Sequence, residues 1–323
     1  MTKAPIKNLA LLLLATFFIS TSGVLGKYIA MPVAVIIWFR ASLAMVFIYV
    51  YGKLKKIDFS IKSTKHYTPF FISGLLMAVH WITYFYALKL SNVALGVLSL
   101  YTFPIIIALL EPFFLKVKFS PIYILLGLMV LTGLYILTPA FHLESSQAKG
   151  ILFGVFSAFC YAIRILILKK YVAAYNGTTL MFYQTVITTI LLLPTLFFMD
   201  LSGLKSQFPY LLLLALLTTA IGHSLMLHSL KFFSATTASI ISSLQPIFGI
   251  CIAFFLVREI PSLNTYIGGG LIILTVLIES IRSKIEQQSL LPVFPSAMPF
   301  TKNLPFLKQL FITNIDVISF YKS

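Results

Sequence analysis

Long uninterrupted apolar runs decide what this chain can fold into. They recur from residue 9 to residue 281. At about 18–22 residues, each can cross a hydrocarbon core of about 30 Å as a helix rising about 1.5 Å per residue. Of the 323 residues, 59% are hydrophobic and only 10% charged, too little charge for a water-soluble surface of this size. In a bilayer such runs close their backbone hydrogen bonds as helices, whereas barrel strands are about half as long and alternate in polarity. The expected fold is an all-α polytopic membrane protein with ten transmembrane helices, over 9–26, 32–51, 67–88, 92–115, 121–139, 149–169, 178–199, 208–230, 235–257 and 263–281.

The net charge of +16 does not point to nucleic acid, because the basic residues sit in short segments between apolar runs rather than on one soluble face. With the N-terminus in the cytoplasm, only Lys27, Lys89, Lys149, Lys205 and Arg258 fall on the far side. Arg40 and Arg164 lie inside runs, and the rest of the 24 Lys and Arg are cytoplasmic. That asymmetry predicts an N-in, C-in protein, expected in the bacterial inner (plasma) membrane. Cys160 and Cys251 lie in apolar runs and read as small packing residues, not as a disulfide or metal ligands. The opening "MTKAPIKNLALLLLATFFIS" has the lysines and apolar core of a signal peptide. The following "TSGVLGKY" offers no small-x-small cleavage site, so the segment reads as an uncleaved first helix.

The chain also repeats itself. "ALKLSNVALGVLSLYTFPIIIALLEPFFL" from residue 87 lies over "SLKFFSATTASIISSLQPIFGICIAFFLV" from residue 229 without a gap, an offset of 142. Lys89 falls on Lys231, Pro104 on Pro246, Ser120 on Ser262 and Gly127 on Gly269. A weaker match at 144 sets Arg40 in "WFRASLA" against Gln184 in "FYQTVIT". Two halves of five helices follow, 1–140 and 141–288, with 289–323 as a proline-rich tail, either disordered or interfacial. Five is odd, so the second half enters from the opposite face, giving two inverted five-helix repeats. Inverted repeats with interrupted helices at matching positions point to alternating access around a site near the midplane. Pro104 and Pro246 each remove a backbone hydrogen bond, which frees carbonyls near 100–101 and 242–243 for a substrate, a water or a neighbouring helix. Purely structural kinks are the alternative.

"GKYIAMPVAVIIWFRASLA", the two repeat segments and the continuation "REIPSLNTYIGGGLIIL" together resemble the drug/metabolite transporter superfamily in its EamA-like branch, over residues 9–282. The resemblance implies a transporter and not an enzyme, with a small-molecule substrate and no cofactor. Across the family such substrates include amino acids, sugars, nucleotide precursors and drugs, many of them moved outward. Family members carry a Glu just after the fourth and ninth helices. Here the second is kept as Glu259 in "VREIPS", but Val117 in "LKVKFS" replaces the first, so no symmetric acidic pair forms there.

Arg40 lies deep inside the second run, where a charge costs about 2.5–3.5 kcal/mol. No acid lies at matching depth, so its expected partner is a substrate carboxylate or phosphate, or backbone carbonyls. Ser73, Met77, His80, Tyr84 and Ala87 share one helical face, polar and aromatic as a pocket wall is, with helix packing as the alternative. His223, which the 142 offset sets on Trp81, also lies near mid-span, and it or His80 could relay a proton. Tyr101 precedes Pro104, Tyr183 adjoins Gln184, and Gln245 adjoins Pro246. The substrate-binding candidates are thus Arg40, His80, Tyr84, Tyr101, Tyr183, Gln184, His223 and Gln245, with Pro104 and Pro246 as helix breaks. Lys27 and Arg164, nearer helix ends, are expected to snorkel, and Glu111 and Glu279 to reach cytoplasmic water. The lack of a mid-span carboxylate weighs against a cationic drug as substrate. Gly127, Gly133 and Gly268–Gly270 suit helix packing or a homodimer face.

The leading function is a secondary transporter exporting a small metabolite, such as an amino acid or other carboxylate-bearing compound. An exporter of drugs or other hydrophobic compounds is the alternative. A membrane enzyme would need clustered catalytic groups that are absent from the sequence. A receptor-like protein would not need polar groups at repeat-related positions. No "GxxxxGK[ST]" string supports ATP-driven transport.

Overall fold

The computed structural model describes residues 4–91, 93–137, 145–257 and 263–289. Residues Met1–Ile285 form one compact unit. The tail beyond residue 289, Glu259 and the Lys27 side chain lie outside the described residues.

The elements are α1 (Ala4–Tyr28), α2 (Val33–Leu54), α3 (Tyr67–Leu90), α4 (Val93–Leu100), α5 (Phe103–Leu115), α6 (Ile122–Leu137), α7 (Ser145–Lys169), α8 (Gly177–Leu192), α9 (Thr195–Phe198), α10 (Leu204–Leu213), α11 (Ser224–Ser229), α12 (Ala235–Ser242), α13 (Gln245–Val257) and α14 (Leu263–Ser289). A single 3-10 turn, Thr64–His66, precedes α3, and no strand occurs among the described residues. Among them six stretches are long and apolar enough to cross a membrane: Ile6–Gly23, Val33–Leu54, Thr64–Leu90, Ala148–Lys169, Gly177–Phe198 and Leu204–Ser229. Phe103–Leu115 and Ile122–Ile136 are shorter apolar helices.

Two of the expected runs break where Pro104 and Pro246 predict, and a third, 178–199, breaks where no interruption was expected. The runs 92–115 and 235–257 are each two helices, and 178–199 breaks after Leu192 at Pro194. Proline explains all three, because it has no N–H for the ladder and its ring crowds the preceding turn. Pro104 stands at the start of α5, and Pro246 follows Gln245 at the start of α13. The two broken pairs are spaced alike. All four bounds of α4 and α5 recur 142 residues later in α12 and α13.

A fourth run keeps its direction but changes its winding. Between α10 and α11, Leu214–His223 is wound as a π-helix, a rare form found mostly at functional sites. Local capping accounts for two helix starts. Asn176 Oδ1 accepts from Thr178 N at 2.9 Å ahead of α8, and Ser234 Oγ accepts from Thr237 N at 2.9 Å ahead of α12.

Large apolar side chains face outward, and a polar set is buried within the apolar interior. Leu152, Phe156, Ile190 and Leu128 are exposed, while Arg40, Arg164, Gln184, Thr218 and Thr219 are buried. That arrangement suits a chain whose solvent is hydrocarbon. Inside, α3 packs most extensively on α7, α2 on α8, and α1 on the π-helix. Gly222 allows the approach of the π-helix to α1, and Gly154 that of α7 to α4. A Cβ at Gly222 would meet Ile19 Cγ1 at 2.8 Å, and one at Gly154 would meet Ser99 Oγ at 1.8 Å.

Candidate functional site

Arg40 is 1% exposed, and side chains surround its guanidinium. Nε donates to Thr219 Oγ1 at 2.7 Å, Nη1 donates to Ser22 Oγ at 3.3 Å, and Nη2 lies 3.3 Å from His223 Nε2. The guanidinium carbon sits 4.0 Å from the Trp81 ring centroid, a cation–π arrangement that gains strength when desolvated. Its protein partners are thus hydroxyls, an imidazole and an indole, where backbone carbonyls were the protein partners expected. The π-helix supplies Thr219 and His223, and Thr218 beside them meets Thr21 of α1 at 2.8 Å between hydroxyl oxygens.

The Arg40–His223 contact fixes a tautomer. Arginine has only donors, so Nε2 must accept, and the proton of the neutral ring then sits on Nδ1. Trp81 backs the same ring at 5.7 Å between centroids. His223 Nδ1 is buried and has no partner.

Arg164 does not snorkel. It is 0% exposed, because α7 is covered by α3, α4 and α5. Its Nε donates to Gln184 Oε1, and the Tyr161 ring centroid lies 5.4 Å from its guanidinium carbon. Tyr161 acts on it electrostatically and through a long side-chain hydrogen bond, but no acceptor, Tyr161 included, meets the buried Nη1 or Nη2 within 3.5 Å at good geometry. Gln184, paired with Arg40 by sequence offset, therefore holds the second buried guanidinium.

His80 pins α3 to α7. Its Nδ1 lies 2.8 Å from Ser157 Oγ, which in turn donates to the His80 carbonyl at 2.8 Å. The ring lies between Tyr84 and Tyr161, at centroid distances of 6.3 and 4.9 Å. Both histidines and Tyr84 are within electrostatic range of the guanidiniums. Tyr101, 3% exposed, donates its hydroxyl to the Ser242 carbonyl at 3.3 Å. That carbonyl is the one Pro246 leaves without its helical N–H partner.

The structure therefore brings Arg40, His80, Tyr84, His223 and Gln184 into one polar core, with Tyr101 on the freed carbonyl. Tyr183 points elsewhere: its hydroxyl donates to the Phe59 carbonyl at 2.5 Å, and its ring meets Phe70 and Phe182. Gln245 is partly buried at the start of α13.

The two glutamates expected at water are buried instead, Glu111 at 4% and Glu279 at 0% exposure. Glu111 Oε1 accepts from Ala235 N at 2.8 Å, and its Oε2 accepts from Thr236 N at 3.0 Å and from the Thr236 hydroxyl. The carboxylate thus satisfies amides at the N-terminus of α12. Glu279 accepts from the Thr237 hydroxyl at 2.7 Å and pairs with Arg282 Nε at 2.9 Å. Lys169 Nζ donates to the carbonyls of Leu230 and Phe233, so the segment leading into α12 is held from both ends.

Among curated proteins, the chain is 26% identical over 267 residues to the S-adenosylmethionine uptake transporter of Rickettsia conorii, covering 80% of this chain and 87% of that one. It is 23% identical over 271 residues to the pseudopaline exporter CntI of Pseudomonas aeruginosa, covering 83% and 93%. Among solved structures, one crystal structure superposes with a TM-score of 0.71 at 15% identity, covering 89% of this chain and 100% of the other, so the fold is shared. The model of the EamA-like transporter family matches twice, over residues 6–138 and 148–281. These relatives and the family are transporters rather than enzymes, and the apolar helices make the chain an integral membrane protein. The chain belongs to the EamA-like transporter family.

Proposed function

We propose that this protein is a secondary transporter that exports a small carboxylate-bearing metabolite, such as an amino acid or its derivative, by alternating access. One observation carries the substrate class. Two fully buried guanidiniums, Arg40 and Arg164, lie in electrostatic range of one another, and neither has a carboxylate partner among the described residues. Buried charge of one sign in an apolar protein calls for an opposite charge from outside. The relative named for S-adenosylmethionine fits this reading, since that compound bears an amino-acid carboxylate.

The architecture belongs to the same proposal: ten spans in two inverted five-helix halves, 1–140 and 141–288, N-in and C-in, in a bacterial plasma membrane. The 142-residue recurrence of both helix breaks and the double family match support it. Metabolites inside and outside cells that produce the protein, compared with an empty vector, test the function. A carboxylate compound that accumulates outside only with the protein is expected. Matching profiles for carboxylates, with a neutral or hydrophobic compound moved instead, refute the substrate class. Uptake into right-side-out vesicles with no efflux refutes the direction.

A further inference from the structure

Arg40 looks like the anchor from its depth in the sequence, but the geometry points elsewhere. We infer that Arg164 is the residue that docks the substrate carboxylate, with the His223 Nδ1–H as a second donor, and that Arg40 is a positioning residue. This rests on the carboxylate reading above and assigns its recognition to particular atoms.

The reasoning counts donors and acceptors. Each of the three nitrogens of Arg40 has a partner, Thr219, Ser22 or His223, which uses three of its five N–H donors, and its face lies on Trp81. Arg164 spends only Nε, on Gln184. Among the described residues, the unpartnered buried polar side-chain atoms are Arg164 Nη1 and Nη2, His223 Nδ1 and Ser224 Oγ. The first three are donors without acceptor capacity once Arg40 has fixed the His223 tautomer. A set of buried donors is completed by an acceptor-only group, and an ionised carboxylate is that group. The free Nη1–Nη2 edge of a guanidinium matches the two oxygens of a carboxylate in a two-toothed pair. His223 backs onto Trp81 at 5.7 Å, and Arg164 onto Tyr161, whose ring lies 4.9 Å from that of His80, the residue before Trp81 on α3, so the donors flank one turn of α3.

This division gives the other candidates their tasks. Gln184 holds Arg164 by Nε and is itself tied by Nε2 to the Leu180 carbonyl at 3.2 Å, which leaves the terminal edge as the part free to bind. Arg40 holds His223 by Nε2 and so turns Nδ1–H outward from that pair. Arg164 is sealed in the present conformation, so a substrate reaches it only when helices around α7 part, as alternating access requires.

The test is thermal unfolding of the purified full-length protein in detergent. The probes are L-alanine, L-glutamate, succinate and citrate, with L-alaninamide, succinamide and inorganic phosphate as contrasts. The expected result is that a carboxylate raises the midpoint of the wild type and its amide does not. Arg164→Gln loses that shift, Arg164→Lys needs about tenfold or more carboxylate to reach it, and Arg40→Gln keeps the shift from a lowered starting midpoint. Should Arg164→Gln fail to fold, the Lys variant, which keeps the charge but not the fork, carries the comparison. A shift that survives in both Arg164 variants but vanishes in Arg40→Gln overturns the assignment and leaves the carboxylate reading standing. A shift with phosphate alone, an equal shift with acid and amide, or no shift at all in the wild type overturns the carboxylate reading itself.

Discussion

Glu111 offers the sharpest test of how the two halves of the chain are held together. It sits on α5, in the first half, and accepts from two backbone amides and a hydroxyl at the start of α12, in the second. The first amides of a helix have no acceptor within it. Glu111→Ala therefore strands two buried N–H groups and the Thr236 hydroxyl. Each buried donor left unpaired costs about 1–3 kcal/mol. Ser234 still caps Thr237 N, and some relaxation is available to a short helix, so the expected loss is about 2–4 kcal/mol. Glu111→Gln keeps one acceptor oxygen but turns an amide group toward the second donor, and loses about 1–2 kcal/mol. Equilibrium unfolding of the purified protein in mixed micelles measures both. An alanine variant within about 0.5 kcal/mol of wild type would refute the reasoning, since α12 would then find its acceptors elsewhere. A glutamine variant that loses more than the alanine variant would refute the acceptor count.

Three further outcomes follow from the packing and the breaks. Gly154→Val should lower the unfolding midpoint and the yield of folded protein more than Gly154→Ala, because even a Cβ at this position meets Ser99 Oγ at 1.8 Å; equal yields for wild type and valine would show that α4 and α7 do not meet this closely. Pro246→Ala should restore an N–H to the Ser242 carbonyl and release the Tyr101 hydroxyl, raising helix continuity while lowering the transport rate; unchanged transport would leave the break as a kink only. Replacing Asp58 by Asn should leave the pH profile of transport between about pH 5 and 8 unchanged. The Ser60 backbone N–H and hydroxyl hold the Asp58 carboxyl below its ordinary range, so whatever it contributes is present above the usual aspartate value near 3.9 and fades only as the pH falls through the lowered one. A profile that moves within that window would show that Ser60 does not hold the Asp58 carboxyl below its ordinary range.

What the sequence disclosed and what it hid divide along a physical line. Run length and the missing N–H of proline are local properties, so the apolar helices and the breaks at Pro104 and Pro246 were legible. The depth of Arg40 was legible for the same reason. Burial by neighbours was not. Arg164 and Glu111 lie near helix ends in sequence, but position along a helix does not say which face another helix covers, and α7 turns out to be enclosed by α3, α4 and α5. Tyr183 and Gln184 are adjacent, yet about 100° of helical turn sends one to the Phe59 carbonyl and the other to Arg164. The π-winding of "LLTTAIGH" has no pattern that marks it, although its paired threonines are the very groups that meet Arg40 and α1.

That winding connects the polar core to the contacts that Lys169 and Glu111 make before and at the start of α12. The π-helix ends at His223, and α11 follows over only six residues before the segment that Lys169 and Glu111 hold. At about 1.5 Å per residue, α11 spans about 9 Å. Arg40 grips the π-helix at Thr219 and His223, and so fixes the rotation of everything after it. A π-turn takes more residues than an α-turn, so rewinding this stretch as α-helix would rotate α11 and drag the carbonyls of Leu230 and Phe233 off Lys169.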